Sequence, residues 1–168
     1  KIIKSLFPLL LFSFVFSFID DIESSIWIKR SNLYTKSSID SIMFEAFDNN
    51  IKNVFIQVRS RGDALYKSKI VNINNNVEEN FDPLEYILSL GNLLNINVHA
   101  WINTYLLWSS SSSPVDSTHI YYSNPEWFDS DYFGKTDVDI NLNNIQSPEW
   151  EGLFLSPNNI NVNLYILD

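Results

Sequence analysis

Three short segments of the chain alternate between apolar and polar positions, as strands do: residues 26–30, 53–59 and 97–103. In the second segment, Val54, Ile56 and Val58 share one face, and the opposite face ends in Arg59. Successive side chains of a strand point to opposite faces. The pattern therefore predicts three strands, each with one apolar face and one face that becomes polar or bulky toward its carboxyl end.

The segments between these strands have the apolar spacing of amphipathic helices. A helix is predicted over residues 38–49, with Ser37 as its N-cap and Asn49–Asn50 as its end, because Asn tolerates the left-handed backbone conformation. A second helix is predicted to begin at Asp82-Pro83, since Asp caps well and Pro suits the first helical position. The buried stripes are Ile39, Ile42, Met43, Ala46 and Phe47 in the first helix and Leu84, Ile87, Leu88 and Leu94 in the second.

The order β-α-β-α-β predicts an α/β fold with a parallel sheet. We interpret it as a (β/α)8 TIM barrel, truncated to about its first three βα units, because the second face of each strand is not apolar. An open doubly wound sheet is the rival, but it usually has inner strands that are apolar on both faces. A nucleotide-binding version also needs a glycine-rich turn after the first strand, and residues 31–35 contain no glycine.

The region from residue 104 to about residue 150 is predicted to be a long loop. It contains a run of five serines, residues 109–113, and many aromatic side chains. A loop of this length inside a compact domain is usually functional or disordered. The aromatic density argues against full disorder, and it leaves open whether these side chains bind a ligand or pack a small core of their own.

Composition and charge exclude several classes of function. The chain has 168 residues, of which 45% are hydrophobic and 15% aromatic, with a net charge of −9. Nucleic acid is therefore not an expected partner, because phosphate contacts need clustered Lys and Arg. The absence of cysteine excludes disulfides and thiolate metal sites.

The first residues predict that the protein is exported from the cytoplasm. Lys1 and Lys4 precede an apolar run over residues 6–19, and acidic residues follow it. A basic start with a short apolar run is typical of a secretory signal peptide, and a membrane span needs about 20 residues. We predict a signal peptide at residues 1–20, a domain over residues 21–168, and a protein that is secreted, periplasmic or on the cell surface. A membrane would be a partner only through an uncleaved leader.

Polar side chains gather where the predicted strands end, which is where barrel enzymes place their active sites. The candidates are Arg59, Arg61 and Asp63 after the second strand and His99, Trp101, Asn103 and Tyr105 along and after the third. Charged and amide groups can hydrogen-bond sugar hydroxyls, and flat aromatic rings can stack on a pyranose. This set predicts binding of an oligo- or polysaccharide. Arg59 with Asp63 could instead be a structural ion pair, and His99 a structural core histidine.

Catalytic groups are not identified by the sequence. Glycoside hydrolysis usually needs two carboxylates that face each other across the scissile bond. Asp63 is the acidic residue at a predicted strand end, while the acids of the long loop have no strand to aim them. His99 and His119 lack the neighbours of a metal site. No cofactor or metal is expected.

Several motifs together resemble the glycosyl-hydrolase-like family 10, secreted or lipid-anchored bacterial (β/α)8 proteins. The resemblance runs from about residue 25 to residue 168. Its most specific part is Gln57-Val-Arg-Ser-Arg-Gly-Asp-Ala-Leu-Tyr66, followed by Val98-His-Ala-Trp-Ile-Asn-Thr-Tyr105 and Phe81-Asp-Pro-Leu84. Family members commonly have Pro where this chain has Thr104.

The resemblance implies a glycoside hydrolase that acts on polysaccharide. It also implies that the nucleophile would lie at the end of a fourth strand, which would make this chain an inactive N-terminal fragment without the catalytic carboxylates. The alternative is a non-catalytic saccharide-binding barrel at the cell surface. A scaffold without a ligand is a third possibility.

Overall fold

The computed structural model describes residues 23–110, 112–138 and 152–168. These residues form a mixed α/β protein with a three-stranded parallel sheet in the order β1-β2-β3. Its strands are β1 (Ser25–Ile28), β2 (Asn53–Arg59) and β3 (Asn97–Ile102), joined by helices α1 (Lys36–Asp48) and α2 (Pro83–Leu94). The predicted strand–helix alternation and the parallel sheet are confirmed.

The predicted signal peptide at residues 1–20 lies outside the described residues. Among the helices of the described ranges, none is long and apolar enough to cross a membrane.

The ends of the predicted elements shift by a few residues. β1 stops at Ile28, because Arg30–Asn32 turn into a 3-10 helix. Thr35, rather than the predicted Ser37, caps α1: its hydroxyl accepts a hydrogen bond from the Ser38 amide at 3.1 Å. The predicted end of α1 is confirmed, since Asn50 has a left-handed φ of 55°.

Helix α2 begins as predicted but buries a different stripe. Asp82 caps it by accepting from the Glu85 amide. Leu88, predicted to be buried, is 43% exposed, and Leu90 and Gly91 are buried instead. A Cβ atom at Gly91 would lie 2.5 Å from a methyl carbon of Val98, so the glycine lets α2 approach β3 closely.

The main core lies between the sheet and the two helices. The apolar face predicted for β2 is confirmed, since Val54, Ile56 and Val58 are 0–2% exposed and pack with Ile39 of α1 and Ile87 of α2. The opposite face of the sheet carries a stacked aromatic row in which Phe55 lies between Trp27 and His99, with ring centroids 4.6 Å apart on each side. The two faces of the sheet therefore have different chemistry.

The region predicted to be a long loop, from residue 104 to about residue 150, contains regular structure, and further regular structure follows it in the described residues 152–168. Strand β4 (Leu106–Trp108) pairs antiparallel with β5 (Leu153–Phe154). The helices are α3 (Ile120–Ser123) and α4 (Ile160–Leu167), and a 3-10 helix spans Pro125–Trp127. Aromatic side chains surround a second buried cluster there: Leu107, Ile120, Phe128, Leu153, Leu155 and Val162. The described part of this region therefore packs a core of its own. This confirms one of the two interpretations of the aromatic side chains that the sequence left open.

Candidate functional site

A cleft of about 270 Å³ opens beyond the carboxyl ends of the parallel strands. Three chain segments line it: the turn after β1, the loop after β2 and the segment after β3. Its polar and aromatic lining includes Arg30, Arg61, Asp63, Asn72, Asn74, Asn76, Trp108, Asp116 and His119. Because parallel strands end at the same edge of the sheet, the fold brings these distant segments together.

An ion pair between Arg30 and Asp63 fixes one wall of the cleft. The Arg30 guanidinium donates two hydrogen bonds to the Asp63 carboxylate, at 2.9 and 3.2 Å, and a third to the Tyr34 hydroxyl at 2.9 Å. The Asn74 amide also donates to Asp63. Burial alone would lower the pKa of Arg30, but the facing Asp63 carboxylate and Tyr34 raise it, so the guanidinium stays charged.

The sequence left open an ion pair between Arg59 and Asp63, and this interpretation is wrong. Arg59 is 7% exposed, and its guanidinium lies 5.0 Å above the centre of the Tyr165 ring of α4. A register shift at the end of β2 sets Arg59 opposite Ile102, instead of Asn103 as unbroken pairing would require. Such irregularities re-aim the side chains beside them.

Arg61 crosses the cleft toward the segment that follows β4. It donates to the Ser109 hydroxyl at 3.1 Å and to the Ser109 carbonyl at 3.2 Å. Its guanidinium also lies 5.7 Å from the centre of the Trp108 indole ring. A cation over an indole face is an attractive contact. Arg61 therefore links the loop after β2 to the aromatic wall of the cleft.

Asp116 is a second carboxylate in the lining of the cleft. The sequence analysis counted it among the acidic residues of the long loop that no strand positions. Hydrogen bonds from the hydroxyl and the amide of Thr118, and from the side chain of Asn72, lower its pKa. Asp116 is therefore held as the charged carboxylate at neutral pH.

His119 is a buried residue of the site. From the sequence it was considered only as a metal ligand, and that role was rejected. Its Nδ1 accepts from the Tyr121 amide at 3.1 Å, so Nε2 carries the proton and donates to the Arg61 carbonyl at 2.7 Å. Burial lowers its pKa, partly offset by the bond to the Arg61 carbonyl. The neutral imidazole thus ties the loop after β2 to the start of α3.

Protonation of His119 is expected to destabilise the fold in acid. A base whose pKa is lowered by folding binds more protons when unfolded, so stability falls as the pH drops below the unfolded value of about 6.5. Urea unfolding between pH 5 and pH 8 should show this loss in the wild type and a smaller loss in His119→Gln. His99→Gln is the matched control, because His99 is exposed. An equal acid dependence in all three proteins would contradict the prediction.

The other candidate residues are not part of the lining of this cleft. His99 sits in the amino-terminal half of β3, where its Nε2 is 3.1 Å from the side-chain oxygen of Asn53. Trp101 lies opposite Gln57 on β2, and the Asn103 amide donates to the Arg59 carbonyl at 2.9 Å. The Tyr105 hydroxyl donates to Asn163 at 3.1 Å. Of the seven candidates, the cleft lining brings together Arg61 and Asp63.

A second cleft, of about 360 Å³, lies beside the first. Its lining includes Gly62, Trp127 and Tyr165. The two clefts are neighbours, because His119 and Asn72 line both.

Within residues 23–110, 112–138 and 152–168, no group of three or more His, Asp or Glu side chains could hold a metal ion. Comparison with protein-family models and with curated proteins finds no match to this chain.

Proposed function

We propose that the three parallel strands are the first three of a (β/α)8 barrel of the glycosyl-hydrolase-like family 10 type. Three observations support this proposal. The strands follow one another in the order β1-β2-β3. Both helices share a core with the apolar face of the sheet. The other face carries Trp27, Phe55 and His99, which suits a barrel interior better than a second helical layer.

Within that fold, the cleft at the strand ends binds an oligosaccharide. The observation that carries this proposal is the fixed Arg30–Asp63 pair in a cleft with asparagine amides and the Trp108 indole. Sugar hydroxyls both donate and accept hydrogen bonds, so they match carboxylate, guanidinium and amide groups held in fixed positions. Binding sites for small ligands typically combine a few such polar groups with apolar or aromatic walls.

The residues of this cleft support binding more directly than hydrolysis. A glycosidase needs a carboxylic acid with a raised pKa as its general acid. Asp63 is ion-paired, and hydrogen bonds lower the pKa of Asp116. Asp137, whose pKa is raised mainly by burial, does not line this cleft. The chain therefore supplies a binding part of a glycoside hydrolase, or a non-catalytic saccharide-binding barrel at the cell surface.

A glycan array followed by calorimetry on the 168-residue chain tests this function. We expect the wild type to bind at least one class of oligosaccharide. Arg61→Gln should weaken that binding about tenfold or more, because one charged hydrogen-bond donor of the cleft is lost. Lys67→Gln is the matched control, since it removes the same charge from an exposed position outside the cleft lining.

Two results would overturn the proposal: an array without binding, or equal affinities for both variants and the wild type. Release of reducing ends from a bound oligosaccharide would favour a hydrolase over a binding protein.

A further inference from the structure

The second cleft, of about 360 Å³, combines hydrogen-bonding groups with an apolar wall. Its polar groups include the side chains of Asn72, Thr118, Ser123 and Asn124, and its apolar wall includes Ile70 and Trp127. Trp127 is only partly buried, so part of its side chain stays open to an occupant. A pyranose has hydroxyl groups around its edge and an apolar face, and this lining offers a partner to both.

The two clefts differ in charge. Among the described residues, no Asp, Glu, Lys or Arg lines the second cleft, whereas the first is lined by Arg30, Arg61, Asp63 and Asp116. The titratable side chains of the second cleft are uncharged at neutral pH, because burial lowers the pKa of His119 and raises that of Tyr165. A charged occupant would lose its hydration there without gaining a counter-charge, so the cleft suits a neutral one.

Shared side chains connect the two clefts. Asn72 and His119 line both. The Asn72 amide donates to the Asp116 carboxylate of the first cleft and, at 2.7 Å, to the Thr118 hydroxyl of the second. Binding pockets for small ligands usually have volumes of about 300–1,000 Å³. The first cleft, at about 270 Å³, is small for a ligand site by itself, and the second brings the site well inside that range.

We propose that the two clefts are adjacent subsites of one binding site, and that the second cleft binds an uncharged sugar unit of the oligosaccharide that occupies the first. The first cleft is the anchor, because the Arg30–Asp63 pair fixes its polar groups. Trp127 supplies the aromatic contact in the second. The proposal rests on the saccharide binding proposed above and specifies its substrate as a chain long enough to fill both clefts.

Oligosaccharides of increasing length test this arrangement by calorimetry. The probes are malto-, cello- and xylo-oligosaccharides from the disaccharide to the hexasaccharide, with the same length series of any other sugar that the glycan array returns. For the sugar that binds, we expect affinity to rise about tenfold once the chain reaches the second cleft, the worth of an aromatic contact and a hydrogen bond. Trp127→Leu should remove most of this gain and leave the affinity for the disaccharide unchanged.

The gain with length should also persist in about 1 M sodium chloride, because salt screens interactions between charges and this cleft has no charged side chain among the described residues. A gain that disappears in high salt would contradict an uncharged occupant.

A chemical block of the second cleft avoids any doubt about folding. The chain has no cysteine, so a maleimide dye attaches to a single introduced thiol. Ser123 is exposed and lines the second cleft, and Ser123→Cys places the thiol there. Before labelling, this variant should bind like the wild type. After labelling, it should lose the gain with length and keep its affinity for the disaccharide. Ser89→Cys is the matched control, because Ser89 is exposed on α2 and lines neither cleft.

The outcomes separate this inference from the proposed function. Equal affinities for all lengths of a sugar that binds would overturn the inference and leave the proposed function intact. A label at Ser123→Cys that weakens the disaccharide as much as the hexasaccharide, or that has no effect on either, would also overturn it. An empty glycan array would end both.

Discussion

Replacing Gly62 with alanine is expected to lower the free energy of unfolding by about 3 kcal/mol. Gly62 has a φ of +70°, which L-residues rarely adopt. A Cβ atom there would also lie 2.6 Å from Cδ1 of Leu107 and 2.8 Å from Cε1 of His119. Both neighbours are buried, so neither can move away freely. Thermal and urea unfolding measure the loss.

Gly134→Ala separates backbone strain from steric overlap. Gly134 has a similar φ of +78°, but its added Cβ would meet nothing within 4 Å. We therefore expect a loss of only about 1 kcal/mol, the cost of the left-handed conformation alone. Equal losses for the two variants would show that Gly62 does not hold the loop after β2 tightly against Leu107 and His119.

The strands and helices that were predicted correctly are those that a pattern within their own residues specifies. β2 has clear alternation over Asn53–Arg59, and α2 has its capping residue and proline in adjacent positions, Asp82 and Pro83. Leu88 was wrongly predicted to be buried, because the apolar periodicity of a helix does not show how wide its buried stripe is. The approach of α2 to β3 at Gly91 decides that, and it depends on tertiary packing.

The second cluster could not be predicted, because its strands are too short to show a period. β4 has three residues and β5 has two, and they pair across more than 40 positions of the chain. Such long-range pairing depends on which side chains the rest of the fold brings together. The aromatic density between residues 104 and 150 was the available signal, and it left open whether these side chains bind a ligand or pack a core.

The candidate site was predicted in part. Arg61 and Asp63 were predicted to lie at a strand end because they directly follow the second strand, and both line the cleft. The partner of Asp63 was missed, because the register shift that turns Arg59 away has no local signal. Arg30 could have been found by the same rule as Arg59, since it follows the end of the first strand as Arg59 ends the second.

Breaking the Arg30–Asp63 pair is the second large effect that we expect. The two side chains are only 15% and 14% exposed, so either one left alone is a largely buried charge. Arg30→Met and Asp63→Asn should each lower the free energy of unfolding by about 3 kcal/mol. Urea unfolding of both single variants and the double variant gives the energy of the pair.

The double variant should lose about 2 kcal/mol less than the sum of the single variants, because both changes remove the same bidentate contact. Lys36→Met with Glu78→Gln is the control cycle. These residues are exposed, and the bond between them uses the Lys36 backbone amide, so its coupling energy should stay below about 0.5 kcal/mol. Additive losses at Arg30 and Asp63 would mean that the pair does not act as a unit. Because the pair is largely shielded from solvent, its coupling should persist in high salt, whereas a surface ion pair would be screened.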